Sequence, residues 1–248
     1  IDVGGNFIPN DSSIDLSNIK YIGNEITPKI PTISTPNGKN DSVAKDSSDK
    51  TINPDQMLHV GDSVTITLPT QDGYKAFNNG KEITTVAGTI DVGGNFIPDD
   101  SSIDLSSIKY IGNEVAPTIP IISTPNNKET SAVIDSNNQS VNANEKLHVG
   151  DKVTVSIPTQ NGYHTVDKDN SIITATESTG TIGVDGNFVP DEGQVNPADI
   201  SYVGDSKKAV ITNLVTPNKT TGSTTDKDGK TITNGDEVHV GDKVTVSI

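Results

Sequence analysis

The 248-residue chain has no cysteine, no tryptophan and no arginine; all 18 of its basic residues are lysine. Without cysteine there can be no disulfide framework, no thiolate zinc site and no thiol nucleophile. Arginine supplies the planar fork that grips phosphates and guanine edges, and nothing replaces it here. The 33 acidic residues give a formal net charge of −15 with no basic cluster. Nucleic acid is therefore not expected as a partner, and anionic lipid would be repelled. No apolar run approaches the roughly 18 residues that a membrane-spanning helix requires, so no membrane insertion is expected. Nucleophile elbows, phosphate loops, His-Glu-x-x-His helices and dinucleotide fingerprints are all missing. The chain does not read as an enzyme, and no organic cofactor is implied.

What the chain does contain is itself, repeated. The segment IDVGGNFIPNDSSIDLSNIKYIGNE at residues 1–25 returns at 90–114, changed only where Asn10 becomes Asp99 and Asn18 becomes Ser107. A looser copy, IGVDGNFVPDEGQVNPADISYVGD, begins at Ile182. Phe7, Phe96 and Phe188 keep step, as do Tyr21, Tyr110 and Tyr202; His148 lies 89 residues after His59, and His239 lies 91 after His148. Self-similarity at a fixed period marks an array of like modules. Near-identical copies seldom provide the one asymmetric constellation that catalysis needs.

The local pattern is β. SVTITLP (63–69), KVTVSIP (152–158) and KVTVSI (243–248) alternate apolar and small polar residues. Val64, Ile66 and Leu68 are predicted to face one core, Val153, Val155 and Ile157 a second, and Val244, Val246 and Ile248 a third. Gly61-Asp62, Gly150-Asp151 and Gly241-Asp242 before them read as tight turns. Further strands are predicted within 83–92 and 172–184 and at IKYIG (19–23, 108–112). SSIDLSSI allows at most a short helical turn. The polar stretches 37–56, 126–145 and 217–236 read as surface loops or peripheral hairpins. If IKYIG opens each module, residues 1–13 are the closing strand of an upstream repeat. Repeats then follow at 14–102, 103–192 and 193–248, the last incomplete. The expected fold class is mainly β, an elongated tandem array of small modules, with targeting and anchoring signals lying elsewhere.

The order of motifs resembles the mucin-binding-protein repeats of Gram-positive, lactic acid bacterial surface adhesins. It runs from IKYIGNE (19–25) through VGDSVTITLPTQDGY (60–74) to VAGTIDV (86–92). It recurs through Tyr110, VGDKVTVSIPTQNGY (149–163) and STGTIGV (178–184). The resemblance implies a β-grasp-like module, with an Ig-like sandwich as the alternative. It also implies attachment to host mucus glycoproteins or extracellular matrix, or a stalk for a distal adhesive domain.

Several side chains are candidates for chemistry. Zinc needs three or four converging ligands, whereas His59, His148 and His239 stand one to a copy. The Asp-rich segments DKDN (Asp167, Asp169) and DKDGK (Asp226, Asp228) are the candidate calcium ligands, although Asp-Gly is equally a hairpin signal. Tyr74 and Tyr163, each after a turn glycine, are the candidate glycan-stacking residues; Phe7, Phe96, Phe188 and the Tyr21 series read as core. A Lys–Asn crosslink common to all copies through Lys20 and Lys109 is ruled out by Ser201. LPTQDG (68–73) is a strand end and not a sortase signal.

These readings converge on a tandem stalk or adhesion region of a secreted, cell-wall-attached bacterial surface protein. Its neighbours are repeats of the same protein, and weak copied sites would gain avidity together. The alternative is a self-assembling surface-layer or filament component with no small ligand.

Overall fold

The computed structural model describes residues 1–248 except 2, 3, 5, 12, 143 and 213. Among the described residues there is no α-helix; Leu16–Asn18, Leu105–Ser107 and Pro197–Asp199 form single 3-10 turns. The protein is mainly β. Its contacts divide it into two compact units, Ile1–Ile111 and Gly112–Ile248.

The first copy is built from β1 (Glu25–Ile26), β2 (Val43–Asp46), β3 (Leu58–His59), β4 (Ser63–Thr67), β5 (Tyr74–Asn78), β6 (Lys81–Glu82), β7 (Thr85–Ile90), β8 (Phe96–Pro98) and β9 (Lys109–Gly112). One sheet runs β2-β4-β7-β8 and a second β6-β5-β9, with a short β1-β3 ladder beside them. The pairs β1-β3, β2-β4, β4-β7, β5-β6 and β7-β8 are antiparallel. The alternation read from the sequence sets the core: along β4, Val64 and Ile66 are buried while Ser63, Thr65 and Thr67 are exposed. Val86 and Ile90 of β7, Ala76 of β5 and Phe96 of β8 join them. Both sheets thus feed one core, which is the architecture of a sandwich.

The second copy repeats the plan with β10 (Glu114–Val115), β11 (Val133–Asp135), β12 (Leu147–His148), β13 (Lys152–Ser156), β14 (Tyr163–Val166), β15 (Ile172–Ile173), β16 (Glu177–Ile182), β17 (Phe188–Pro190) and β18 (Ser201–Gly204). Its sheets run β11-β13-β16-β17 and β15-β14-β18. Where the first copy buries Val86 against β4, the second buries Ser178, whose hydroxyl donates to the Val195 carbonyl at 2.6 Å. That bond removes the cost of a buried, unpaired hydroxyl. Gly88 and Gly180 serve the same end in both copies: a Cβ at either would stand 2.6 Å from the ring of Phe96 or Phe188. The ring lies where a side chain would otherwise be.

Strand β9 joins the sheet of β5, and β18 pairs with β14, Tyr202 opposite Thr165. The IKYIG-type strand is thus the last strand of a sheet whose other strands precede it in sequence. Alternation reveals which face of a strand is buried but not which neighbour takes its hydrogen bonds. Residues 19–23, expected as a strand, form none, and Phe7 and Tyr21, read as core, are 68% and 99% exposed. The third copy contributes β19 (Ser206–Lys208), β20 (Ser223–Thr225), β21 (Glu237–His239) and β22 (Thr245–Ser247), paired β19-β21 and β20-β22. Val244, Val246 and Ile248, expected to face a third core, are at least half exposed.

Ile66 and Val155 are each 0% exposed. Replacing Ile66 with alanine should cost about 2–5 kcal/mol. Urea unfolding followed by circular dichroism checks this; a loss below 1 kcal/mol (on the order of an exposed substitution) would mean that the core is not organised around β4.

Candidate functional site

No single cluster gathers the candidate residues; each sits in its own copy, at an equivalent place. The most regular feature is the turn His-Val-Gly-Asp. Gly61, Gly150 and Gly241 have φ of 89°, 88° and 90°, the left-handed geometry that a type II turn requires at its third position. In each turn the aspartate carboxylate accepts the histidine backbone N–H at 2.8 Å. The same carboxylate lies 3.6–3.9 Å from the histidine Nδ1. The histidines are exposed or half-buried partners of a turn, one per copy.

The candidate calcium ligands are likewise occupied by backbone. Asp167 Oδ1 accepts N–H groups from Asp169 and Ser171, and Asp226 Oδ1 accepts them from Asp228 and Lys230. Asp46 and Asp135, at the position of Asp226 in earlier copies, make the same bonds to residues two and four ahead. This is the Asx turn of a tight hairpin. Asp167 and Asp169 lie between β14 and β15, whereas Asp226 and Asp228 follow β20, and the structure does not bring the two pairs together. Among the described residues, no three His, Cys, Asp or Glu side chains are grouped to hold a metal ion.

The tyrosines fall into two classes. Tyr110 and Tyr202, on the closing strands, donate their hydroxyls to the carbonyls of Pro69 and Pro158. Each ties the end of one sheet to the end of the other, and burial raises the phenol pKa. Tyr74 is half-buried and lines a cleft of about 360 Å³ with Leu68, Pro69, Ile83 and Tyr110. An exposed Lys75–Glu82 pair at 2.9 Å stands on its rim. Tyr163 is also half-buried, but its hydroxyl lies over the α-carbon of Gly241 in the following copy. A preceding turn glycine suggested exposure; the partner, far along the chain, left no local signal.

A second recurrent cleft lies between the segment after β1 or β10 and the hairpin after β2 or β11. It measures about 320 Å³ in the first copy, where Pro28, Ile30 and Ile52 line it. In the second it measures about 510 Å³ beside Pro117, Ile119 and Val141. Sequence reasoning missed it, because it depends on how far the hairpin stands from the sheet.

A third recurrence concerns the connections between copies. Only Asn113 separates β9 from β10, and only Asp205 separates β18 from β19. Gly23, Gly112 and Gly204 each sit so close to Val60, Val149 and Val240 that a Cβ would overlap the valine carbonyl oxygen. Val60, Val149 and Val240 donate their N–H groups to the carbonyls of Asn24, Asn113 and Asp205 at 3.0–3.1 Å. The residue after each glycine is thereby tied to the turn. Comparison of the chain with family models, with curated proteins and with solved structures gave no match. No helix among the described residues is long and apolar enough to cross a membrane.

Two outcomes follow for stability. Asp91 is held below the ordinary carboxylate value of 3.8, first by the Asn95 side chain, and Asp135 and Asp185 by the backbone N–H groups of Gln139 and Asn187. Asp236 is lowered by the Thr233 backbone N–H. A depressed folded pKa contributes stability above the unfolded value and loses it as pH falls through the folded one. Tm should therefore hold from neutrality to about pH 4 and drop below it; a fall beginning well above that would contradict these turns. Because the Asp226 carboxylate is engaged by its own backbone, millimolar calcium should leave Tm unchanged; a saturable rise would restore the metal reading.

Proposed function

We propose that the chain is a spacer region of a bacterial cell-surface protein, a run of β-modules that holds a distal domain away from the cell. The observation that carries this reading is the connection: one residue joins the last strand of a copy to the first strand of the next, and the same glycine–valine contact closes each one. Linkers meant for free motion are longer and rich in Gly or Ser. The acid-rich surface, −15 overall, suits an extracellular region that must stay soluble at high local density. The sequence resemblance to mucin-binding-protein repeats points to the same setting.

A second reading, adhesion to mucin-type glycans, is supported by the cleft beside Tyr74 and Tyr110, where an aromatic face, threonine hydroxyls and a Lys–Glu pair converge. Tyr163 does not support it, being engaged at the connection. Titration of the whole chain onto immobilised mucin, with Tyr74→Ala as control, separates the two. The spacer reading expects no saturable binding; saturable binding that the substitution abolishes would replace it with the adhesive one.

A further inference from the structure

We infer that the His239–Asp242 turn is a socket for the Gly162–His164 edge of the preceding copy, so that the second and third copies move as one body. Three segments distant in sequence meet there: Gly162–His164, Gly204–Asp205 and His239–Asp242. The connecting residue Asp205 is held from both sides. Its N–H donates to the Gly162 carbonyl at 2.8 Å, and its carbonyl accepts from the Val240 N–H at 3.1 Å. A hinge absorbs rotation in a few terminal residues, and this one cannot rotate without breaking a backbone bond.

The side chains close what the backbone leaves open. Gly204 is pressed onto the Val240 carbonyl, and a Cβ at Gly162 would stand 3.3 Å from both Val240 methyls. The Tyr163 hydroxyl covers Gly241, and a side chain at 241 would displace it. His164 Nδ1 lies 3.0 Å from Asp205 Oδ1, pairing the strand β14 with the connection itself. The socket is stiff in its own right, since the Asp242 N–H donates to the His239 carbonyl at 3.1 Å and the Asp242 carboxylate takes the His239 N–H. In the preceding copy Lys75 occupies the position of His164 and Asn113 that of Asp205, so the His–Asp pair belongs to this connection by sequence. Neighbouring domains are expected to move relative to one another unless their contact is specific. Here the contact is made of main chain, a covered glycine and a His–Asp hydrogen bond.

The absence of cysteine makes the test direct. Ser136→Cys and Lys227→Cys, both at exposed hairpin positions, place two nitroxides on the full chain. Pulsed dipolar spectroscopy should give one narrow distance distribution. Tyr163→Ala removes the cover of Gly241, and Gly204→Ala places a methyl against Val240 at a backbone conformation that alanine accepts; each should replace the narrow peak with a broad one. A broad distribution in the unsubstituted chain, or a narrow one that survives both substitutions, would overturn the inference. The first of these results needs no variant to fold, and circular dichroism confirms folding for the second. The inference stands on the geometry of the connection and not on the spacer reading, and the mucin titration fails or succeeds independently of it.

Discussion

Everything in these modules depends on the contact between two adjacent strands, β4 against β7 and β13 against β16. Val64, Ile66, Val86 and Ile90 are at most 1% exposed, and few other side chains in the first unit are. With 31% hydrophobic residues in the chain, no second layer of core is available. A core this thin leaves little surplus over the entropy of ordering the chain. The rest of each module is therefore committed to lowering that entropy or satisfying polar groups. Phe96 and Phe188 fill the space left by glycine, Ser178 is bonded where its counterpart is Val86, and Tyr110 and Tyr202 tie sheet ends together.

The same economy explains the acidic residues. An excess of carboxylates invites a search for metal sites, yet Asp46, Asp91, Asp135, Asp167, Asp185 and Asp226 all accept backbone N–H groups from residues one turn ahead. They replace hydrogen bonds that short hairpins cannot make within a ladder, and such local bonding is the reason aspartate favours turns. Glycines and asparagines at positive φ, such as Asn79-Gly80 and Asn138, complete those turns. The net charge is thus a by-product of turn chemistry as much as a device for solubility.

How much of this could be read beforehand differs from element to element. The β4 and β13 alternation, the turn at Gly-Asp and the single helical turn at Leu105 were legible because each rests on a period or a backbone preference local to the residues concerned. The sheet that IKYIG joins was not. IKYIG looks the same whether it opens or closes a sheet, and only its pairing with β5 or β14 decides. The contact of Tyr163 was hidden for a related reason: the glycine that it covers stands in the next copy, and nothing in GYHTV announces it.

The repeated turn carries two duties with one set of residues. Within a copy, His-Val-Gly-Asp reverses the chain between β3 and β4, β12 and β13, or β21 and the segment that follows. Its valine carbonyl also receives the glycine that closes the preceding strand, at Gly23, Gly112 and Gly204 alike. The turn that leads into the central strand of a copy is thus also the turn against which that glycine packs. This accounts for what the copies share and where they vary. The hairpins after β2, β11 and β20 differ in sequence between copies, whereas the glycine, the valine and the turn recur in all three. What the copies share thus lies in the turn and the glycine set against it, and what varies lies in the peripheral hairpins.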